Sequence, residues 1–395
     1  MNVKEPSVCI SDEEISNFED LARKYAQRSV LPMFEGEYPD GNLSFLHGLM
    51  DTAFQIGLAA TPDASSENNY FGVWGSATAD IGIKSSIVIL SSIAETCGGI
   101  AMCLHAQGVA TNIFLKSRNS ADKSLLRAGL ALQEGMWPPV WETFSSSSND
   151  SGIVLETTFE AKSSSYILNG TKSFVYSLNP PDGYVVFARD EKGWGCFIVP
   201  SYAPGILRKD AGARTGLRAC QVEHVEFKNV EVPKQARIDY RGNAIKLAKL
   251  SMFINWSGMS AIAVGITKGA IKAAKKYATE RYQGGTLIEN HPIVKSLLSS
   301  SDALAKSAEA ILSSLTEYTI ISDKALARAA GVKLTVMDLC AKAVTDSLQV
   351  FGGYGYMEDF GMEKRLREIT VLKSASGSPV YLKQLIADIE KENEK

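Results

Sequence analysis

Two groups of residues in this 395-residue chain have types and spacing suited to holding a ligand. Gly352, Gly353 and Gly355 alternate with Phe351, Tyr354 and Tyr356, so backbone can approach a bound molecule closely while aromatic faces stack on it. Arg281 stands in Tyr277-Ala278-Thr279-Glu280-Arg281-Tyr282-Gln283-Gly284-Gly285, and a guanidinium pairs bidentately with a diphosphate. Each group also has a plainer reading: an interhelical turn for the glycines, a solvated helix end for the arginine. Other chemistry finds little support. The four histidines (His47, His105, His224, His291) lack metal-ligand spacing, the six cysteines form no CxxC pair, and no Gly-x-Ser-x-Gly elbow occurs.

Bulk properties narrow the partner. With 41 Lys+Arg against 44 Asp+Glu, neither nucleic acid nor an anionic membrane is expected, which leaves a small molecule or another protein. Scattered thiols (Cys9, Cys97, Cys103, Cys196, Cys220, Cys340) suit a reducing cytoplasm. The acidic N-terminal stretch has neither the basic region of a signal peptide nor the Arg-rich character of a transit peptide. No run approaches the ~18 unbroken apolar residues of a membrane span.

The elements that must carry these residues fall into thirds. Ser11 and Glu14 form a capping-box pattern opening a helix towards Ala26, and helical periodicity returns over 43–53 and 83–110, giving a helical domain at 1–129. Short β-prone runs at 152–159, 165–168, 183–187, 195–199 and 222–227, separated by Asn-Gly and Pro-rich turns, predict a middle β-barrel or sandwich at 130–236. From 237 to 395 the texture is helical again: helices over 247–277, 293–321 and 323–349, and one after Pro379, predict a four-helix bundle. A stripe of small residues (Gly258, Ala261, Gly265, Gly269) would let the first of them pack closely.

The segment QVFGGYGYMEDFGMEKRLREITVLKSASGS, residues 349–378, resembles the C-terminal signature of the acyl-CoA dehydrogenase family. Four further segments resemble family motifs in the correct order, so the resemblance covers essentially the whole chain. Ala131-Leu132-Gln133-Glu134-Gly135 matches the start of the β-domain at Ala and Glu only. Asn169-Gly170-Thr171-Lys172-Ser173-Phe174-Val175-Tyr176 matches the flavin-flanking strand, with Phe for Trp and Tyr for Thr. Gly216-Leu217-Arg218 with Val225 to Pro233 is similar to the exit from the β-domain, and the Arg281 segment is similar to the end of the first bundle helix.

The resemblance implies an α-domain, a β-barrel and a four-helix bundle that bind FAD and an acyl-CoA or other acyl thioester. It implies Gln133, Phe174, Tyr176, Arg281, Gln349, Gly352, Gly353 and Ser378 at the flavin. Arg281 and the Gln349–Gly353 loop would reach the flavin of a neighbouring subunit, in a homotetramer or hetero-oligomer, and an electron-transfer flavoprotein is the implied electron acceptor.

The family's catalytic base is a glutamate. Counted from Arg367, its position falls on Ser376; an alternative position on the first bundle helix falls on Asn255, next to Trp256, where the family has an arginine that contacts CoA. Phe253, Asn255, Trp256 and Ser376 would then form a neutral substrate wall, or simply pack the bundle. A serine hydroxyl is too weak a base for α-proton removal, so a glutamate restored at either position is expected to restore desaturation. The same losses would suit a non-catalytic partner subunit of a heteromeric dehydrogenase, or a flavin monooxygenase on the same frame.

Overall fold

The computed structural model describes residues 11–33, 45–59, 72–75, 79–117, 139–140, 155–177, 181, 183–239, 243–318 and 321–393. Helix α1 (Asp12–Tyr25) opens on the expected capping box, with the Ser11 hydroxyl accepting from the Glu14 amide and the Glu14 carboxylate accepting from the Ser11 amide. Helices α2 (Phe45–Gln55), α3 (Ala79–Ala94) and α4 (Gly98–Ser117) follow. The periodic stretch at 83–110 is therefore two helices, broken at Glu95–Cys97. The glycines after the break explain it. A Cβ on Gly98 would stand 2.7 Å from Ile266 Cδ1 and one on Gly99 2.9 Å from Ala219 Cβ, so their absence lets the first turn of α4 seat against two other parts of the fold.

The middle region is a seven-stranded mixed sheet: β1 (Pro139–Val140), β2 (Thr158–Ala161), β3 (Ser165–Ser177), β4 (Gly183–Asp190), β5 (Gly193–Pro200), β6 (Ile206–Asp210) and β7 (Gln221–Pro233), in the order β1-β4-β2-β3-β7-β6 with β5 on β4. Strand β6 escapes a sequence reading because it is a charged edge strand that pairs with β7 only, and such edges carry little apolar signal. In β3, Lys172 faces Val225 but Val175 faces Glu223. One extra residue is thus accommodated on β3 at Ser173-Phe174, a β-bulge that redirects a side chain.

The last region holds α5 (Ala244–Glu280), α6 (Pro292–Ser313), α7 (Asp323–Gln349), α8 (Met362–Ser374) and α9 (Pro379–Asn393). Among the described residues these are five helices where the pattern predicts four. The additional α8 carries Glu363, Lys364, Arg365, Arg367 and Glu368 in its first two turns, and several of these charges turn inward, which erases the usual apolar stripe. Helix α5 is long and apolar enough to cross a membrane by length and composition, yet 94% of its most apolar window is buried in protein. It is the central strut of the core. A Cβ on Gly265 would meet Ser91 O at 2.1 Å and one on Gly269 Glu95 O at 2.2 Å, so the predicted glycine stripe is what lets α3 lie against α5.

Candidate functional site

The bulge in β3 gives Phe174 a left-handed backbone (φ +57) and leaves it 53% exposed, with its ring edge-on to His224 at 5.0 Å. An exposed aromatic in a strained conformation can stack on a planar ligand. Tyr176, two residues on, lies largely inside; burial beside Cys220 pushes its hydroxyl pKa up, so it remains a neutral phenol able to hydrogen-bond. Gln133 lies outside the described residues.

At the far end of α5, Arg281 caps the helix, its amide donating to Tyr277 O, and its guanidinium lies over the Tyr354 ring at 5.5 Å. Its Nε is buried without a hydrogen-bond partner among the described residues. Such a donor is costly to leave unpaired and accords with an anionic ligand there. Tyr277 stacks on Phe351 at 4.3 Å, which fixes the start of the Gly352–Tyr356 turn beside Arg281. Gln349, Gly352 and Gly353 are exposed, and no atom lies within 4 Å of a Cβ built at either glycine. The fold thus brings the two sequence-distant groups together around an open face. Ser378 stands at the start of α9, its hydroxyl accepting from the Tyr381 amide. Among the described residues no cluster of three or more His, Cys, Asp or Glu could hold a metal.

Phe253, Asn255 and Trp256 are all buried, at 0%, 3% and 1% exposure. Phe253 packs edge-on against Tyr318. The Asn255 side chain is committed to a network invisible in the sequence. Trp74 Nε1 donates to His105 Nδ1 at 2.8 Å, and His105 Nε2 lies 2.8 Å from Asn255 Oδ1. An indole N–H can only donate, so His105 Nδ1 must accept and the ring proton sits on Nε2, donated to Asn255. Full burial pushes the His105 pKa down to about 4, so the ring is neutral. Room for it comes from Gly258, where a Cβ would stand 2.3 Å from the His105 ring.

Trp256, the next residue on α5, instead reaches the loop after α8: its Nε1 donates to Ser376 O at 2.7 Å. Ser376 has φ +51, and Gly377 beside it φ +116. The flanking carbonyls of Ala375 and Gly377 both accept from Lys333 Nζ, the latter at 3.0 Å. Lys333 is completely buried on α7, and desolvation pushes its pKa down to about 7. Ser376 and Trp256 are therefore in contact, while Asn255 belongs to a separate network.

Three residues of this site, Trp74, His105 and Lys333, were not read from the sequence. Lys333 had a signal: it continues the series Leu326, Ala330, Met337, Cys340 at three- and four-residue spacing, all of them buried. A lysine in such a stripe must find hydrogen-bond acceptors inside the protein. His105 had a weaker one, a single imidazole in the apolar run of α4.

Comparison with known proteins places this geometry in a family. The family description "Acyl-CoA dehydrogenase, middle domain" matches residues 146–230 and "Acyl-CoA dehydrogenase, C-terminal domain" matches 254–389. An acyl-CoA dehydrogenase of Bacillus subtilis (strain 168) is 27% identical over 364 residues, covering 91% of this chain and 93% of that one. Two solved structures share the fold. A chain of the Acidaminococcus fermentans electron transferring flavoprotein structure has TM-score 0.81 and 23% identity, covering 96% of this chain and 98% of its own. A Mycobacterium smegmatis glutaryl-CoA dehydrogenase in complex with FADH2 has TM-score 0.80 and 15% identity, covering 98% and 96%. The chain belongs to the acyl-CoA dehydrogenase family.

Proposed function

We propose that this protein is an FAD-binding oxidoreductase of an acyl thioester, with no carboxylate at either position from which its family draws a base. The observation that carries the flavin reading is Arg281, whose buried Nε lacks a partner among the described residues and stands beside the open Gly352-Gly353 turn. Phe174 and Tyr176 would flank the flavin ring, Gln133 and Ser378 would contact its edges, and Arg281, Gln349, Gly352 and Gly353 would hold a neighbouring subunit's diphosphate in a homotetramer or similar oligomer. Bound FAD supplies a hydride acceptor. Electron-transfer flavoprotein is the proposed electron partner, and the five cysteines among the described residues, all free and buried, support a reducing compartment such as the cytoplasm.

Arg281→Ala should weaken flavin binding by roughly 10- to 100-fold, the effect of losing a charge-assisted contact of about 1.5–3 kcal/mol. Flavin retained through gel filtration at falling protein concentration measures this; unchanged retention would remove Arg281 from the cofactor site.

On the substrate side, the neutral pair Trp256 and Ser376 would face the ligand, while Phe253 packs on Tyr318 and Asn255 is held by His105. Trp256 offers no cation to CoA, and its one N–H is spent on Ser376 O. Common straight-chain CoA esters should therefore bind less tightly than to a relative with arginine there, again by about 1.5–3 kcal/mol. Titration of butyryl- and octanoyl-CoA against flavin absorbance tests this, and submicromolar affinity would contradict it. The engagement of Asn255 by His105 and of Trp256 by Ser376 favours a second reading, a dehydrogenase-like chain serving as partner subunit in a heteromeric enzyme. A chain that shows flavin but no response to any acyl thioester would move the assignment there.

A further inference from the structure

Three consecutive backbone carbonyls, those of Ala375, Ser376 and Gly377, are each taken by a buried side chain of the bundle. Lys333 Nζ accounts for the outer two and Trp256 Nε1 for the middle one. Two carbonyls two residues apart can converge on one nitrogen only if the chain folds back between them, and the backbone does so at Ser376 with φ +51. A non-glycine residue holds that conformation only where its surroundings impose it. The Lys333 nitrogen is suited to impose it. Buried at 0% exposure, it has no access to water and must find its acceptors in the protein.

We propose that Lys333 is the positioning residue that holds Ser376 in its left-handed backbone conformation, and that Trp256 docks on the loop Lys333 has set. This deepens the reading of Ser376 as a ligand-facing position and rests on it. The ligand then meets a wall fixed by α5 and α7 before binding, and Trp256 is part of that wall.

Lys333→Met keeps most of the side-chain volume and removes the N–H donors, so it separates positioning from packing. Hydrogen–deuterium exchange of the full-length purified protein should show the amides of 375–378 exchanging at least tenfold faster in Lys333→Met, with α5 and α7 unchanged. The fluorescence of Trp256, taken as the difference between each protein and its Trp256→Phe counterpart, should move to longer wavelength as the indole loses its dock. Unchanged exchange and unchanged emission would overturn the proposal. If Lys333→Met does not fold, Trp256→Phe alone decides: exchange at 375–378 should stay within about twofold of the parent, and a tenfold rise would make Trp256 the holder and overturn the assignment to Lys333. Acyl-CoA titration separates this inference from the functional reading. If exchange rises as stated but acyl-CoA affinity is that of the parent protein, the hold on the loop stands and the reading of Ser376 as ligand-facing falls.

Discussion

Ser376→Glu should raise α,β-desaturation of a bound acyl-CoA by ~10²–10⁴-fold, the usual worth of a positioned general base. The substitution adds little backbone strain, because the position already holds a non-glycine residue at φ +51 and its carbonyl remains tied to Trp256. The new carboxylate would stand on a loop whose flanking carbonyls, those of Ala375 and Gly377, are held by Lys333 Nζ. Asn255→Glu should give no such gain, although the sequence alone makes the two positions equivalent. Asn255 Oδ1 accepts the His105 Nε2 proton inside a sealed network, so a glutamate there would pair with His105, draw a proton onto the ring and be spent as its counter-ion. Anaerobic bleaching of the flavin by a bound acyl-CoA reads both variants. A gain at Asn255→Glu and none at Ser376→Glu would reverse the assignment.

Trp74→Ala should cost about 3–5 kcal/mol of stability, the range for removing a buried large aromatic, and belongs at the upper end. Trp74 is 1% exposed and has a left-handed backbone (φ +61). Its amide donates to Ser86 Oγ at 2.7 Å, and its carbonyl accepts from Asn112 Nδ2 at 2.8 Å. Its indole N–H meets His105 Nδ1, so the alanine variant leaves that nitrogen buried and unpaired as well as opening a cavity. Trp74→Phe keeps most of the packing and orphans only His105, so it should cost nearer 1–3 kcal/mol. Urea unfolding of the three proteins checks the ranking. Equal midpoints for Trp74→Phe and the parent would mean that the His105 bond contributes nothing.

What the sequence made legible divides along physical lines. Helix α7 could be read to its bounds because Ser322 caps it, the hydroxyl accepting from the Ala325 amide, and apolar residues recur along it up to the glycine turn. The glycine stripe on α5 could be read because small residues at helical spacing have one common use, close approach. By contrast, α8 and β6 were hidden by their charges, the one by ions turned inward, the other by its place at a sheet edge. The site was half legible. Arg281 and the Gly352–Tyr356 turn were visible as types suited to a ligand, and the fold does bring them together. The Trp74–His105–Asn255 chain and the Lys333 hold on residues 375–377 could not be seen, because they join residues 31, 150 and more than 40 positions apart. Periodicity records which face of a helix is buried and is silent on what a buried polar atom touches.

The central claim, a flavin held in the acyl-CoA dehydrogenase frame of this chain, is tested most directly by releasing and identifying the chromophore of the purified protein. Heat denaturation followed by chromatography of the supernatant should give FAD approaching one molecule per chain. A colourless protein that releases no flavin would contradict the account.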